Sequence, residues 1–149
     1  MHPFPHHYHV VAGASPEGDI PMVGAGLPAL AVASPTEFDG PGDEWSPETL
    51  LTASLAGCFI LTFRAIARAS KLTWTSLHCE VTGVLDRVER VTQFVSFDVT
   101  VRLELPPGAD EALALRALEK VERTCLISSS LKGPVHLHPQ LVVAPAAVG

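Results

Sequence analysis

Ser46-Pro47-Glu48-Thr49-Leu50-Leu51-Thr52-Ala53-Ser54-Leu55-Ala56-Gly57-Cys58-Phe59-Ile60-Leu61-Thr62-Phe63-Arg64-Ala65-Ile66-Ala67-Arg68-Ala69-Ser70 is the stretch on which the fold turns. Ser46 suits an N-cap, Pro47 the first helical position and Glu48 the positive end of the helix dipole. From Leu50 to about Ser70 the only helix breaker is Gly57, and no charge appears before Arg64. The spacing predicts one helix of roughly 37 Å at 1.5 Å per residue. A helix this apolar belongs in the middle of an assembly rather than on its surface.

On either side of this helix the period changes. The first 45 residues are rich in Gly and Pro, with two apolar runs, Tyr8 to Ala12 and Ala29 to Ala33, that read as short strands between turns. After the helix, Thr73 to Asp86 alternates with period two, placing Leu77, Cys79, Val81 and Leu85 on one face. Thr92 to Leu105 repeats the pattern, so the two runs predict a hairpin of long strands. Asp110 to Arg123 follows as a second helix, with Ala114, Leu118, Val121 and Cys125 in one stripe, and Val135 to Ala144 closes as a strand. Thr124 to Ser128 fits either the end of that helix or the start of a short third one. The order of elements is α+β, and residues 1–149 read as a single domain, with 1–45 as a strand and loop segment and 46–149 carrying the helices, hairpin and last strand.

Composition narrows the function classes. The chain has 149 residues, 47% apolar and 17% charged, with a net charge of −6. At this length roughly 70% of the unfolded surface is buried, so neither disulfides nor a structural metal is needed for folding. No apolar run is expected to reach the ~20 residues of a membrane span. A weakly charged chain of this kind is expected to hide surface against a second copy of itself. Seven acids and no Lys or Arg fall in residues 1–63, whereas residues 64–149 hold nine acids and all ten bases, scattered singly. Without a basic stripe, nucleic acid is not an expected partner. Met1 to His9 lacks the charged and apolar regions of a secretory signal, which makes a cytoplasmic location the expectation.

Three cysteines, 21 and 46 residues apart, match neither zinc-ligand spacing nor a secreted disulfide framework. Cys58 is open to two readings, a small buried hydrophobe or a reactive thiol beside Gly57. Glycine inside a helix costs about 1 kcal/mol against alanine, and close approach of another chain or a ligand is one reason for it. Cys125 either ends the second helix stripe or heads a turn whose free N–H groups and the hydroxyls of Ser128, Ser129 and Ser130 favour a thiolate. Cys79, between Leu77 and Val81, reads as core. His6-His7-x-His9 and His136-x-His138 lack a cysteine or carboxylate at ligand spacing, so surface or interface histidines are expected and no metal.

The blocks Ser46-Pro47-Glu48-x-Leu50-Leu51, Ala53 and Ala56-Gly57-Cys58, then Cys125-Leu126-Ile127-Ser128-x-Ser130-Leu131 and a final strand, resemble the OsmC/Ohr family over most of the chain. Phe4-Pro5-His6-His7-Tyr8 and Glu37-Phe38-x-Gly40-Pro41-Gly42-Asp43-x-Trp45 are similar to a less studied branch of it. The resemblance implies an intertwined homodimer, with sheets wrapped around long central helices and two equivalent sites at the interface. It implies a cysteine peroxidase of organic hydroperoxides, with Cys58 as the attacking thiol, Cys125 as the resolving thiol and Glu48 as the acid that organises the site. Such chemistry passes through a sulfenic acid and a disulfide, uses no cofactor, and is reset by a dithiol reductant such as a lipoyl-bearing protein. The apolar residues Leu55 and Phe59, with Thr62, are expected near the Cys58 face, suiting an alkyl substrate.

In the peroxidase branches an arginine from the amino-terminal part pairs with the acid, and this chain has no Lys or Arg before Arg64. Arg64, six residues past Cys58, lies about 120° round the helix. The remaining candidates for a cation are His7, His9, Arg87, Arg90, His136 and His138. The competing expectation is a redox-sensing or apolar ligand-binding protein on the same fold.

Overall fold

The computed structural model describes residues 1–146. The chain falls into two compact units, Met1–Leu51 and Thr52–Gly149. The first carries a small antiparallel sheet of β1 (Val11–Ala12), β2 (Ile20–Val23) and β3 (Leu30–Val32), in that order. The two expected strands are present but shorter than their apolar runs. The central strand β2 is an addition to the sequence reading, hidden because Pro21 interrupts its apolar pattern and proline is uncommon inside a sheet. Beyond β3, a 3-10 turn at Thr36–Phe38 leads to Asp39 at φ 61°. A Cβ on Gly40 would run into the Ser34 carbonyl, so this loop closes only with glycine there.

Helix α1 spans Pro47–Ala69. Ser46 caps it as expected: the Thr49 N–H donates to Ser46 Oγ at 3.1 Å, and Thr49 Oγ1 accepts from the Ser46 N–H at 2.9 Å. This reciprocal pair satisfies two otherwise orphaned donors. At the far end Lys71 takes the left-handed conformation (φ 56°), and the Leu72 N–H reaches back to the Ala67 carbonyl at 2.9 Å. Leu72 is buried beyond that turn, completing a Schellman ending without glycine. Leu55, Phe59, Phe63 and Ala67 form the buried stripe of α1 at four-residue intervals. One expectation is corrected here. By length and composition alone α1 is long and apolar enough to cross a membrane, because ten of its remaining positions are also apolar. Only the four-residue stripe is buried, and the rest of α1 is half-buried or exposed.

The second unit holds a sheet in the order β4-β5-β6, formed by β4 (Ser76–Val88), β5 (Val91–Leu105) and β6 (Val135–Val143). β4 and β5 make the expected hairpin, turned by Glu89 and Arg90, both at positive φ. A register shift at Val84/Leu85 rotates the strand end, so Leu85 is exposed rather than inward. Gly83 sits under Phe94 and Phe97, whose rings stack at 5.1 Å, and a Cβ there would meet Phe94 at 2.9 Å. Phe97, Val99, Val101, Leu103 and Leu105 on β5 are fully buried. Each such side chain contributes about 1.5–3 kcal/mol by leaving water.

Helix α2 (Glu111–Thr124) begins at Asp110, whose carboxylate accepts from the Leu113 N–H at 3.0 Å. Its stripe of Ala114, Leu118, Val121 and Cys125 is buried as expected. The helix ends at Thr124, Cys125 is the C-cap, and a separate 3-10 turn occupies Ser128–Ser130. Because α2 carries the chain across to the far edge, β6 pairs with β5 in parallel.

Candidate active site

Two elements of the second unit bring Cys58 and Cys125 together. Cys58 lies midway along α1, beside the buried stripe and half-buried itself. Cys125 leaves α2 with extended backbone angles, which turns its buried thiol back toward α1. The Cys125 S–H donates to Cys58 Sγ at 3.0 Å. Thr62, one turn further along α1, has its Oγ1 3.7 Å from the same sulfur.

The bend after Cys125 fixes this arrangement. The hydroxyls of Ser128 and Ser129 both donate to the Cys125 carbonyl at 3.0 Å, and Ser130 Oγ donates to the Leu126 carbonyl at 2.8 Å. The three serine hydroxyls therefore hold the turn rather than donate to a thiol, whereas the Ser128 amide does favour a Cys125 thiolate, as free N–H groups at this turn were expected to. The freed amide of Leu126 points at Cys58, and that of Ile127 bears on both sulfurs.

The two thiols are driven in opposite directions. Burial works against ionisation of Cys58, but hydrogen bonds from Cys125, the Ile127 N–H, Thr62 and the Leu126 N–H outweigh it, holding the thiol below its ordinary value. Burial, then the hydrogen bond to Cys58 and its negative charge, push Cys125 up. Cys58 is thus the more acidic thiol of the pair and Cys125 the hydrogen-bond donor. Cys79, inward on β4 as expected, is pushed up to about 11 by burial and by Cys125.

Beside Cys58 opens a groove of about 610 Å³, lined by Ser54, Gly57, Leu61, Thr62, Ala65, Leu126 and Ile127. Thr62 is where the sequence placed it, but Leu55 and Phe59 do not line the groove: both are buried in the neighbouring stripe of α1. On α1 the wall is made by Ser54, Leu61, Thr62 and Ala65, three, four or seven positions from Cys58 as 100° per residue favours, with Gly57 beside it. Leu61 and Leu126 remain 63% and 67% exposed along its rim.

The cations proposed from sequence fall elsewhere or in the other unit. His138 Nε2 stands 3.0 Å from Asp98 Oδ1 on the outer face of the sheet, and Arg87 and Arg90 are at the hairpin turn. The groups that lower Cys58 are all hydrogen-bond donors without formal charge. Glu48 lies in the first turn of α1, half-buried, in the first unit. His6 Nε2 donates to the His2 carbonyl, 2.9 Å away, and its ring stacks on Phe4. Among the described residues no three His, Cys, Asp or Glu side chains gather around one point as metal ligands do.

A family model, OsmC-like protein, matches residues 40–139, which include both cysteine blocks. The chain belongs to the OsmC family. This OsmC-family chain is 28% identical over 136 residues to the Uncharacterized protein YmaD of Bacillus subtilis (strain 168), covering 89% of this chain and 91% of that one. It is 31% identical over 107 residues to the Organic hydroperoxide resistance protein of Xanthomonas axonopodis pv. citri (strain 306), covering 70% and 72%. In fold, the OsmC-family chain is similar to an OsmC-like protein of unknown function from Vibrio cholerae O1 biovar eltor, with a TM-score of 0.80 at 11% identity over 93% of this chain and all of that one. The α+β architecture is thus the OsmC fold.

Proposed function

We propose that the protein is a thiol-dependent peroxidase of organic hydroperoxides, and the observation that carries this reading is the Cys58–Cys125 contact at 3.0 Å with the two thiols driven apart in acidity beside an apolar groove. The Cys58 thiolate attacks the outer peroxide oxygen, the O–O bond breaks, and the alkoxide leaves and takes a proton to become the alcohol. Cys58 is oxidised by two electrons to a sulfenic acid. The Cys125 sulfur then displaces the hydroxyl, releasing water and forming the Cys58–Cys125 disulfide. A dithiol reductant, such as a lipoyl-bearing protein, restores both thiols by exchange and leaves as its own disulfide.

In this reading residues 1–149 act as one OsmC-like domain within an intertwined homodimer, residues 1–45 contributing to the dimer and Glu48 organising the site. The exposed Leu61 and Leu126 and the apolar outer positions of α1 support burial against a second copy. The protein is expected in the cytoplasm, with no cofactor, nucleic acid or membrane partner. The test is hydroperoxide consumption by purified protein with dihydrolipoamide or glutathione, for wild type and Cys58→Ser side by side. Loss of turnover in Cys58→Ser is expected, and retained turnover removes Cys58 from its role. The size and apolar lining of the groove also favour a second reading, a redox-sensing or apolar ligand-binding protein, which an ordinary Cys58 acidity together with absent wild-type turnover would support.

A further inference from the structure

We infer that Thr62 is a catalytic hydrogen-bond donor to the reacting sulfur, its hydroxyl holding the Cys58 thiolate from one turn along α1; this rests on the peroxidase reading of the same site. The rotamer is the first argument. Threonine in a helix divides between two χ1 wells because one lets its hydroxyl bond a preceding carbonyl. Elsewhere in this chain that bond is made: Ser70 Oγ donates to the Ile66 carbonyl at 2.8 Å, and Thr124 Oγ1 to the Lys120 carbonyl at 2.7 Å. Thr62 instead directs its oxygen to Cys58 Sγ at 3.7 Å, within reach of a sulfur hydrogen bond. A thiolate has no proton to give, so once Cys58 ionises the hydroxyl is the donor.

The second argument is position. Thr62 lines the groove together with Cys58, so its hydroxyl stands where the attacking sulfur meets substrate. The titratable groups bearing on Cys58 in its own unit are Cys125 and, through Cys125, Cys79. The other donors are the Cys125 thiol and two backbone amides. Thr62 is therefore the side chain whose donor can be deleted without removing the resolving thiol.

The test is the pH dependence of Cys58 alkylation by iodoacetamide in wild type, Thr62→Val and Thr62→Ser, with hydroperoxide turnover measured in parallel. Val keeps the shape and removes the hydroxyl; Ser keeps the hydroxyl. The alkylation midpoint is expected to rise by about half to one pH unit in Thr62→Val and to stay within about 0.2 in Thr62→Ser. Turnover at neutral pH should fall roughly three- to tenfold in Thr62→Val as the thiolate fraction falls. Thr62→Ala gives the same readout if the valine variant misfolds. An unshifted midpoint in the folded variant lacking the hydroxyl, or an equal shift in Thr62→Ser, overturns the assignment. A shifted midpoint with no wild-type turnover keeps the donor and sinks the peroxidase reading instead.

Discussion

Treating the reduced protein with one equivalent of an organic hydroperoxide should convert Cys58 and Cys125 to a disulfide and make the protein more stable. Their sulfurs stand 3.0 Å apart, and a disulfide needs about 2.05 Å, so bond formation asks the two sulfurs to close by roughly 1 Å. The bond would close a loop spanning 67 residues of sequence. The loss of unfolded-chain entropy for such a loop is worth about 4 kcal/mol where the native geometry is unstrained. For a chain of this length that corresponds to a rise in Tm of about 10 °C. The assay is thermal unfolding of reduced and oxidised protein at one fixed concentration, because an oligomer's Tm depends on concentration. Thiol titration of the same samples should fall from three groups to one, with Cys79 the survivor. A disulfide that includes Cys79, or an oxidised form no more stable than the reduced one, would refute the geometric reasoning.

Gly57→Ala should raise helix stability by about 1 kcal/mol, because an added Cβ meets nothing within 4 Å. The same methyl group would narrow the groove, so turnover should fall while Tm rises; an unchanged KM for hydroperoxide would remove Gly57 from substrate binding. Cys79 is held near 11 in the folded state against about 9.0 in the unfolded one, a raised value, so its contribution is complete below pH 9 and is lost as pH climbs toward 11. With half-burial discounted, the loss is about 1 kcal/mol, and denaturant midpoints across that range should flatten in Cys79→Ala. In a Cys79→Ala background, Cys58→Ala should lower the pH at which Cys125 ionises, read from ultraviolet thiolate absorbance; a midpoint equal to that of Cys125 in the presence of Cys58 would show that Cys58 does not hold Cys125 protonated.

The helices and the hairpin were legible because their determinants are local. Ser46 and Asp110 cap as their types dictate, the stripe from Ala114 to Cys125 has helical spacing, and β5 alternates from Phe97 to Leu105. β2 escaped because Pro21 breaks its pattern, and Leu85 was misplaced because a bulge shifts the face without leaving a mark in composition. At the site, the cysteine blocks were recognisable, whereas the division of donors between them was not. That Cys58 receives the Leu126 amide and Cys125 the Ser128 amide, with Ile127 bearing on both, depends on the direction in which the chain leaves α2 at Cys125. Thr62 was near at hand in the sequence, since residue i+4 shares a helix face with Cys58. Its hydroxyl's choice of sulfur over carbonyl is a rotamer, which no spacing encodes.

The opposed acidities also bear on the order of steps. An attacking thiol must be ionised before peroxide arrives, while a resolving thiol must stay protonated until the sulfenic acid exists, or it would compete for oxidant. Cys125 is kept protonated by burial, and then by its hydrogen bond to Cys58 and the charge on Cys58. Of these the charge exists only while Cys58 is a thiolate. In the proposed cycle the sulfenic sulfur is neutral, so the repulsion disappears and the amides of Ser128 and Ile127 that favour a Cys125 thiolate are less strongly opposed. On that reading oxidation of Cys58 would ease ionisation of Cys125 when its target is about an ångström from bonding distance. Cys79, inward on β4 and held protonated mainly by its own burial, has no comparable release, which is the physical reason for expecting it to remain a thiol through the cycle.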